Sequence, residues 1–96
     1  MSDPIASIVR FSGEPDDLLE RFERACQLWA EAQDGYTPPA FYAACRTDDG
    51  IAIVTGWKSV ADHEAFGRRM GPHLEAAGMG KPDRHEHLRI EKLGWD

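Results

Sequence analysis

Ile5 to Ser12 (IASIVRFS) is rich in β-branched and aromatic residues and has no helical period, which predicts a strand. Gly13 to Asp17 then reads as a helix start. Pro15 at the first helical position wastes no hydrogen bond, and Asp16 and Asp17 complement the positive end of the helix dipole. Leu18, Phe22, Cys26 and Trp29 recur every three or four residues and build one apolar stripe. Glu20, Arg21, Glu23, Arg24, Gln27 and Glu31 occupy the other faces, and Gly35 is the expected helix end. Pro38-Pro39 forbids helix in the connection that follows.

Phe41 to Arg46 (FYAACR) predicts a second strand, and Thr47-Asp48-Asp49-Gly50 carries the Asp-Gly signal of a hairpin turn. Ile51 to Trp57 is then a third strand, antiparallel to the second. Ser59 is the expected cap of a second helix, with Asp62 as a weaker form of the capping-box acid. His63, Phe66, Met70 and Leu74 fall on one face of that helix. Gly71-Pro72 is expected to break or kink it, with a short helical turn ending at Gly78 or Gly80. Lys81-Pro82 leads into a last strand over Arg84 to Leu93.

The order β-α-β-β-α-β predicts an α+β protein of the ferredoxin-like plan: a four-stranded antiparallel sheet with two helices on one face. At 96 residues the chain reads as one domain, residues 1–96. Apolar residues point to both sheet faces (Ile8 beside Val9, Ile53 beside Val54), so the second face also needs cover. A homodimer is the simplest cover for so small a chain.

Composition narrows the partners. Hydrophobic residues make up 42% and charged residues 29%, which is ordinary globular usage. Seventeen acids against eleven Lys and Arg give a net charge of -6, which repels phosphate backbones and disfavours nucleic acid. The apolar runs are far short of a membrane span, and no basic-plus-apolar leader opens the sequence, so a cytoplasmic protein is expected. Cys26 and Cys45 are not spaced as a CxxC pair and read as buried free thiols.

With Asp49-Gly50, the strand ending in Trp57-Lys58-Ser59, Phe66 beyond it, then Gly71-Pro72, Leu74 and Gly78, the chain resembles the antibiotic-biosynthesis-monooxygenase-like domains of the dimeric α+β barrel superfamily. The likeness covers nearly the whole chain in element order. It implies two protomers packed sheet to sheet, each with a pocket between sheet and helices. It is strongest to small actinobacterial-type members. The superfamily includes cofactor-independent quinone-forming monooxygenases, haem-degrading enzymes and small isomerases. The haem-degrading branch carries a Trp where this chain has Phe66, a haem-ligating His at the place of Ala76, and an Asn on the first strand, where Ile5 to Ser12 has none. The resemblance to that branch therefore fails at three positions, and no cofactor is expected. The quinone-forming branch uses Trp, Tyr, Arg and Asn around a polyphenol; Trp57 matches, and the chain contains no Asn.

His63 is the main candidate for chemistry, since related domains carry an aromatic or aliphatic residue there. A His in an apolar pocket can relay protons or donate a hydrogen bond; the plainer use is a ring at the helix edge bonded to water or backbone. Trp57, Phe66, Met70 and Arg10 are the expected pocket lining, with Trp57 equally suited to plugging the core. Arg10 and Arg46 could each hold a substrate oxygen or pair with a neighbouring acid. His85 and His87 alternate with Arg89 and Glu91 on the last strand. Two histidines need a third ligand to hold a metal, and Asp83, Glu86 and His73 are available by composition alone. The row is therefore expected to be solvated or to form a dimer contact through His87, Arg89 and Glu91, with no metal site. Trp95 is expected at the surface or in a dimer contact.

The expected function is that of a homodimer with a small apolar or aromatic ligand. The enzymatic form is a cofactor-independent monooxygenase on a small aromatic or polyketide-like compound. The alternatives are a non-enzymatic small-ligand-binding or structural dimer, or an isomerase or lyase using the same pocket.

Overall fold

In the computed structural model, residues 4–32 and 39–93 are described. Six elements follow one another: β1 (Ile5–Ser12), α1 (Pro15–Ala32), β2 (Phe41–Arg46), β3 (Gly50–Trp57), α2 (Val60–Ala76) and β4 (Arg84–Arg89). The strands form one antiparallel sheet in the order β2-β3-β1-β4, the ferredoxin-like arrangement. The expected helix end at Gly35, Pro38 of the expected connection and Trp95 lie outside the described residues.

The register decides which residues face the helices. Ile5, Ser7, Val9 and Phe11 of β1 stand opposite Trp57, Thr55, Ile53 and Ile51 of β3. The same four rows carry His85, His87 and Arg89 on β4, and Tyr42 and Arg46 on β2. This side meets the helices: Phe22 of α1 contacts Tyr42 edge-on, and Arg46 pairs with Asp16. Phe11, Leu18, Ile51, Ile53 and Met79 form the buried core cluster.

Glu14 starts α1, its carboxylate accepting from the Asp17 amide at 2.8 Å. Ser59 caps α2 as expected, accepting from the Asp62 amide at 3.1 Å. Gly71-Pro72 does not end this helix, which runs through Pro72 to Ala76. The stop comes at Gly78, which sits at φ 87° and whose amide reaches the Glu75 carbonyl, while Met79 N–H reaches the Leu74 carbonyl at 3.0 Å. That is a Schellman ending, closed by the apolar contact of Met79 and Leu74 in the core. The clasp outcompetes the proline because Pro removes one hydrogen bond, whereas the clasp satisfies two carbonyls and buries Met79. Arg21 adds a tie from α1 to the Gly78 carbonyl at 2.6 Å.

Gly50 begins β3 where the backbones come closest: a Cβ there would sit 1.9 Å from the Phe11 carbonyl oxygen. β4 ends at Arg89 rather than Leu93; the Ile90 amide adds one more bond in the same antiparallel sense, to the Pro4 carbonyl. The opposite sheet face carries Ile8, Ala43, Ala52, Val54 and Leu88, and no described helix covers it. No described helix is long and apolar enough to cross a membrane.

Candidate functional site

The helix stripes that the hydrophobic period assigns to the interior do not close on the sheet. Phe22, Cys26 and Trp29 of α1 and His63, Phe66 and Met70 of α2 instead line a cavity of about 730 Å³, floored by Val9, Phe11, Ile53 and Thr55. Its wall is mainly apolar, and the volume falls in the range of small-molecule sites. Phe66 and Met70 therefore stand in the lining. Phe66 is wedged between aromatic neighbours, with ring centroids 5.6 Å from Trp29 and 4.8 Å from Trp57.

Two other expected lining residues are elsewhere. Trp57 is 3% exposed and fills the space behind His63 and Phe66, its indole N–H donating to Thr55 Oγ1 at 2.6 Å. It props the wall rather than forming it. Arg10 belongs to the opposite sheet face by register, where it pairs with Glu86 at 3.8 Å. Arg46 is on the helix side but is taken up by Asp16, which holds its guanidinium pKa up. Cys26 is half-buried at the cavity wall, and desolvation, with Glu23 adding, raises its thiol pKa; Cys45 is exposed rather than buried.

His63 stands in the first turn and a half of α2, placed by the Ser59 cap above β1 and β4. Its Nε2 is 3.1 Å from Ser7 Oγ, and its Nδ1 is 2.8 Å from Nε2 of His87. Ser7 is fully buried, a polar side chain in the apolar row Ile5, Val9, Phe11. His85 completes the group, its ring centroid 5.1 Å from that of His63 and 4.4 Å from that of His87. His63 and His85 both reach the cavity. Burial, with His87 and His85 nearby, pulls the His63 pKa down to about 4, so this ring is neutral at pH 7. Burial and then His87 lower His85 as well.

His87 and Arg89, expected at a dimer contact, stand on the helix side of the sheet. The pairings Ser7–His87 and Ile5–Arg89 turn both side chains to the helix side, away from the face a sheet-to-sheet partner would cover. Arg89 reaches Glu91 at 3.7 Å, beyond the end of the strand. The strand histidines instead meet His63, which the spacing along the chain does not reveal. The readable signal is Ser7, a hydroxyl at a core-facing position that needs a polar partner.

The chain shares its fold with several solved structures of low sequence identity. A candidate antibiotic biosynthesis monooxygenase from Chloroflexus aurantiacus superposes with a TM-score of 0.63 at 15% identity, covering 95% of this chain and 97% of that one. SnoaB, a cofactor-independent oxygenase from Streptomyces nogalater, gives 0.61 at 18% identity over 96% and 97%. A conserved protein from Methanosarcina mazei Go1 gives 0.59 at 11% identity over 95% and 94%. No family model matches the sequence, and neither does any curated protein.

Proposed function

We propose that the protein is a cofactor-independent monooxygenase that takes a small aromatic or polyketide-like compound into the helix-side cavity. The observation that carries this reading is His63, an imidazole at the wall of a mainly apolar cavity with a second imidazole at 2.8 Å behind it. The fold shared with the oxygenase SnoaB supports it. In such a reaction a phenolic substrate supplies all the electrons: one oxygen atom of O2 becomes a quinone carbonyl, the other leaves as water, and two substrate hydrogens go with it. The protein's task is to ionise the phenol and exclude bulk water.

His63 is suited to the first task. Its low pKa makes it a weak base toward a free phenol. A phenolate formed in the same apolar cavity offsets that, because the ion pair it makes with an imidazolium is little screened there. The proton then has an exit through His87, which is exposed. Phe66, Met70 and Trp29 clamp an aromatic ring and keep water from the anion. A homodimer formed through the face of Ile8, Val54 and Leu88, in the cytoplasm, completes the picture.

The test is oxygen uptake with a panel of anthrones and polyhydroxylated naphthalenes. Active compounds should consume O2 without added cofactor, and His63→Ala should cut kcat by about 10²–10⁴-fold, the usual weight of a positioned acid–base group. Unchanged turnover in His63→Ala, or a panel that neither binds nor consumes O2, would sink the proposal.

A further inference from the structure

Three imidazoles converge from two elements distant in sequence. One nitrogen each of His63, His85 and His87 lies within 4.8 Å of the others, and one pair is already 2.8 Å apart. The geometry points to a divalent metal site: His63 Nδ1, His85 and His87 as three neutral nitrogen ligands for a late first-row ion such as zinc, with a fourth position open to the cavity.

The arrangement has the parts such a site needs. A tetrahedral ion about 2.0–2.1 Å from each nitrogen sets the nitrogens about 3.3–3.4 Å apart, inside the span observed here. His85 and His87 sit on one strand at period two, so their rings lie on the same side, and both are exposed enough to adjust by side-chain torsion. His63 is the fixed member. Its other nitrogen faces Ser7 Oγ at 3.1 Å, and Ser7 is wholly buried. With Nε2–H donating to that hydroxyl, the Nδ1 lone pair is aimed at the two strand histidines, the outer-shell hydrogen bond that metal-bound histidines keep. An ion here would replace the proton now shared between His63 and His87.

Ligand type sets the ion. Three imidazoles without a carboxylate or thiolate favour Zn2+, Co2+, Ni2+ or Cu2+ over Mg2+ or Ca2+. Three protein ligands also leave zinc one coordination position short, as in sites that bind water or substrate. His63 and His85 line the cavity, so that position opens toward it. The ion's charge is uncompensated by its ligands, so the favoured occupant is an anionic oxygen: hydroxide, a phenolate or an enolate.

The assignment does not rest on the oxygenase reading, with which it competes for His63 Nδ1, and the experiment contains no substrate. Untagged protein, stripped with chelator, is titrated with Co2+ followed by its visible bands, and with Zn2+ by calorimetry. One ion per chain at micromolar Kd or tighter, with the intense bands of tetrahedral Co2+ and a raised Tm, is the expected result. His85→Ala and His87→Ala, which change exposed residues only, should each weaken binding by at least about tenfold. Ser7→Ala should weaken it by about 10–100-fold through loss of His63 orientation. His73→Ala, outside the cluster, should bind as the parent does. Millimolar Kd, octahedral Co2+ bands, or affinity unchanged in the folded His85 and His87 variants would overturn the site. Metal binding without oxygen uptake would leave it standing while removing the oxygenase reading.

Discussion

Acidification should weaken this protein through its desolvated histidines, His63 above all. His63 has a folded-state pKa of about 4 against an ordinary 6.5. The folded state therefore binds fewer protons than the unfolded state between those values. The stability linked to this ring is complete above pH 6.5 and is lost as pH falls toward 4. A gap of about 2.5 units at 1.36 kcal/mol each has a ceiling of about 3.4 kcal/mol; because His63 is only half-buried, solvent screening brings the expected loss to about 1–2 kcal/mol. Carboxylates titrate near the same range, so the measurement has to be a difference. Urea unfolding of the parent and of His63→Phe, both in chelator, should be followed at pH 7.5 and 4.5. The parent should lose about 1–2 kcal/mol more than the variant over that interval, a relative shift of about 5–10 °C in Tm for a chain this size. NMR titration of the His63 ring should show the same low pKa directly. Parallel pH curves for the two proteins would refute the argument, because they would mean that the ring is not desolvated in the fold.

Other expectations follow from positions with little freedom or unusual space. Gly67 lines the cavity, and a Cβ added there would meet nothing within 4 Å. Gly67→Ala should therefore stabilise α2 by about 0.5–1 kcal/mol, whereas Gly67→Phe should abolish binding of aromatic ligands with the thermal melt little changed. Gly50→Ala drives its Cβ against the Phe11 carbonyl and should cost about 2–4 kcal/mol by denaturant unfolding; Gly56→Ala, which meets only the Phe41 ring, should cost less. Val54→Asp on the uncovered sheet face should shift a dimer to monomer in sedimentation, with the secondary structure by circular dichroism preserved.

Much of the architecture is legible because it is written in local periodicity. The strands, the Ser59 cap and the hairpin at Asp49-Gly50 each depend on residues close in sequence. Pro72 misleads because its cost is local, whereas what outweighs it, Met79 packed into the core behind Gly78, is tertiary. Trp57 and Arg10 depart from the expected lining for two further reasons. Trp57 is on the helix side but packs behind His63 and Phe66, a tertiary arrangement, whereas Arg10 falls on the other side because only the register with neighbouring strands says which face holds the helices. The histidine group is half visible. His85 and His87 share a face by period two, but their meeting with His63 depends on how far β4 slides along β1 and where α2 lies over both.

Ser7 and Thr55 stand directly opposite one another in the centre of the sheet. Each holds the nitrogen of a ring: Ser7 meets the imidazole of His63 from α2, and Thr55 accepts from the indole of Trp57 two residues along its own strand. A slide of β1 by two residues would keep every apolar residue facing inward, since Ile5, Val9 and Phe11 are interchangeable by hydropathy. It would also take Ser7 away from the His63 ring nitrogen, at about 1–3 kcal/mol, while the Trp57–Thr55 bond, internal to β3, would survive. The Ser7 hydroxyl thus acts as a proofreading step in assembly: among strand alignments that bury grease equally well, it leaves one that also satisfies the His63 ring.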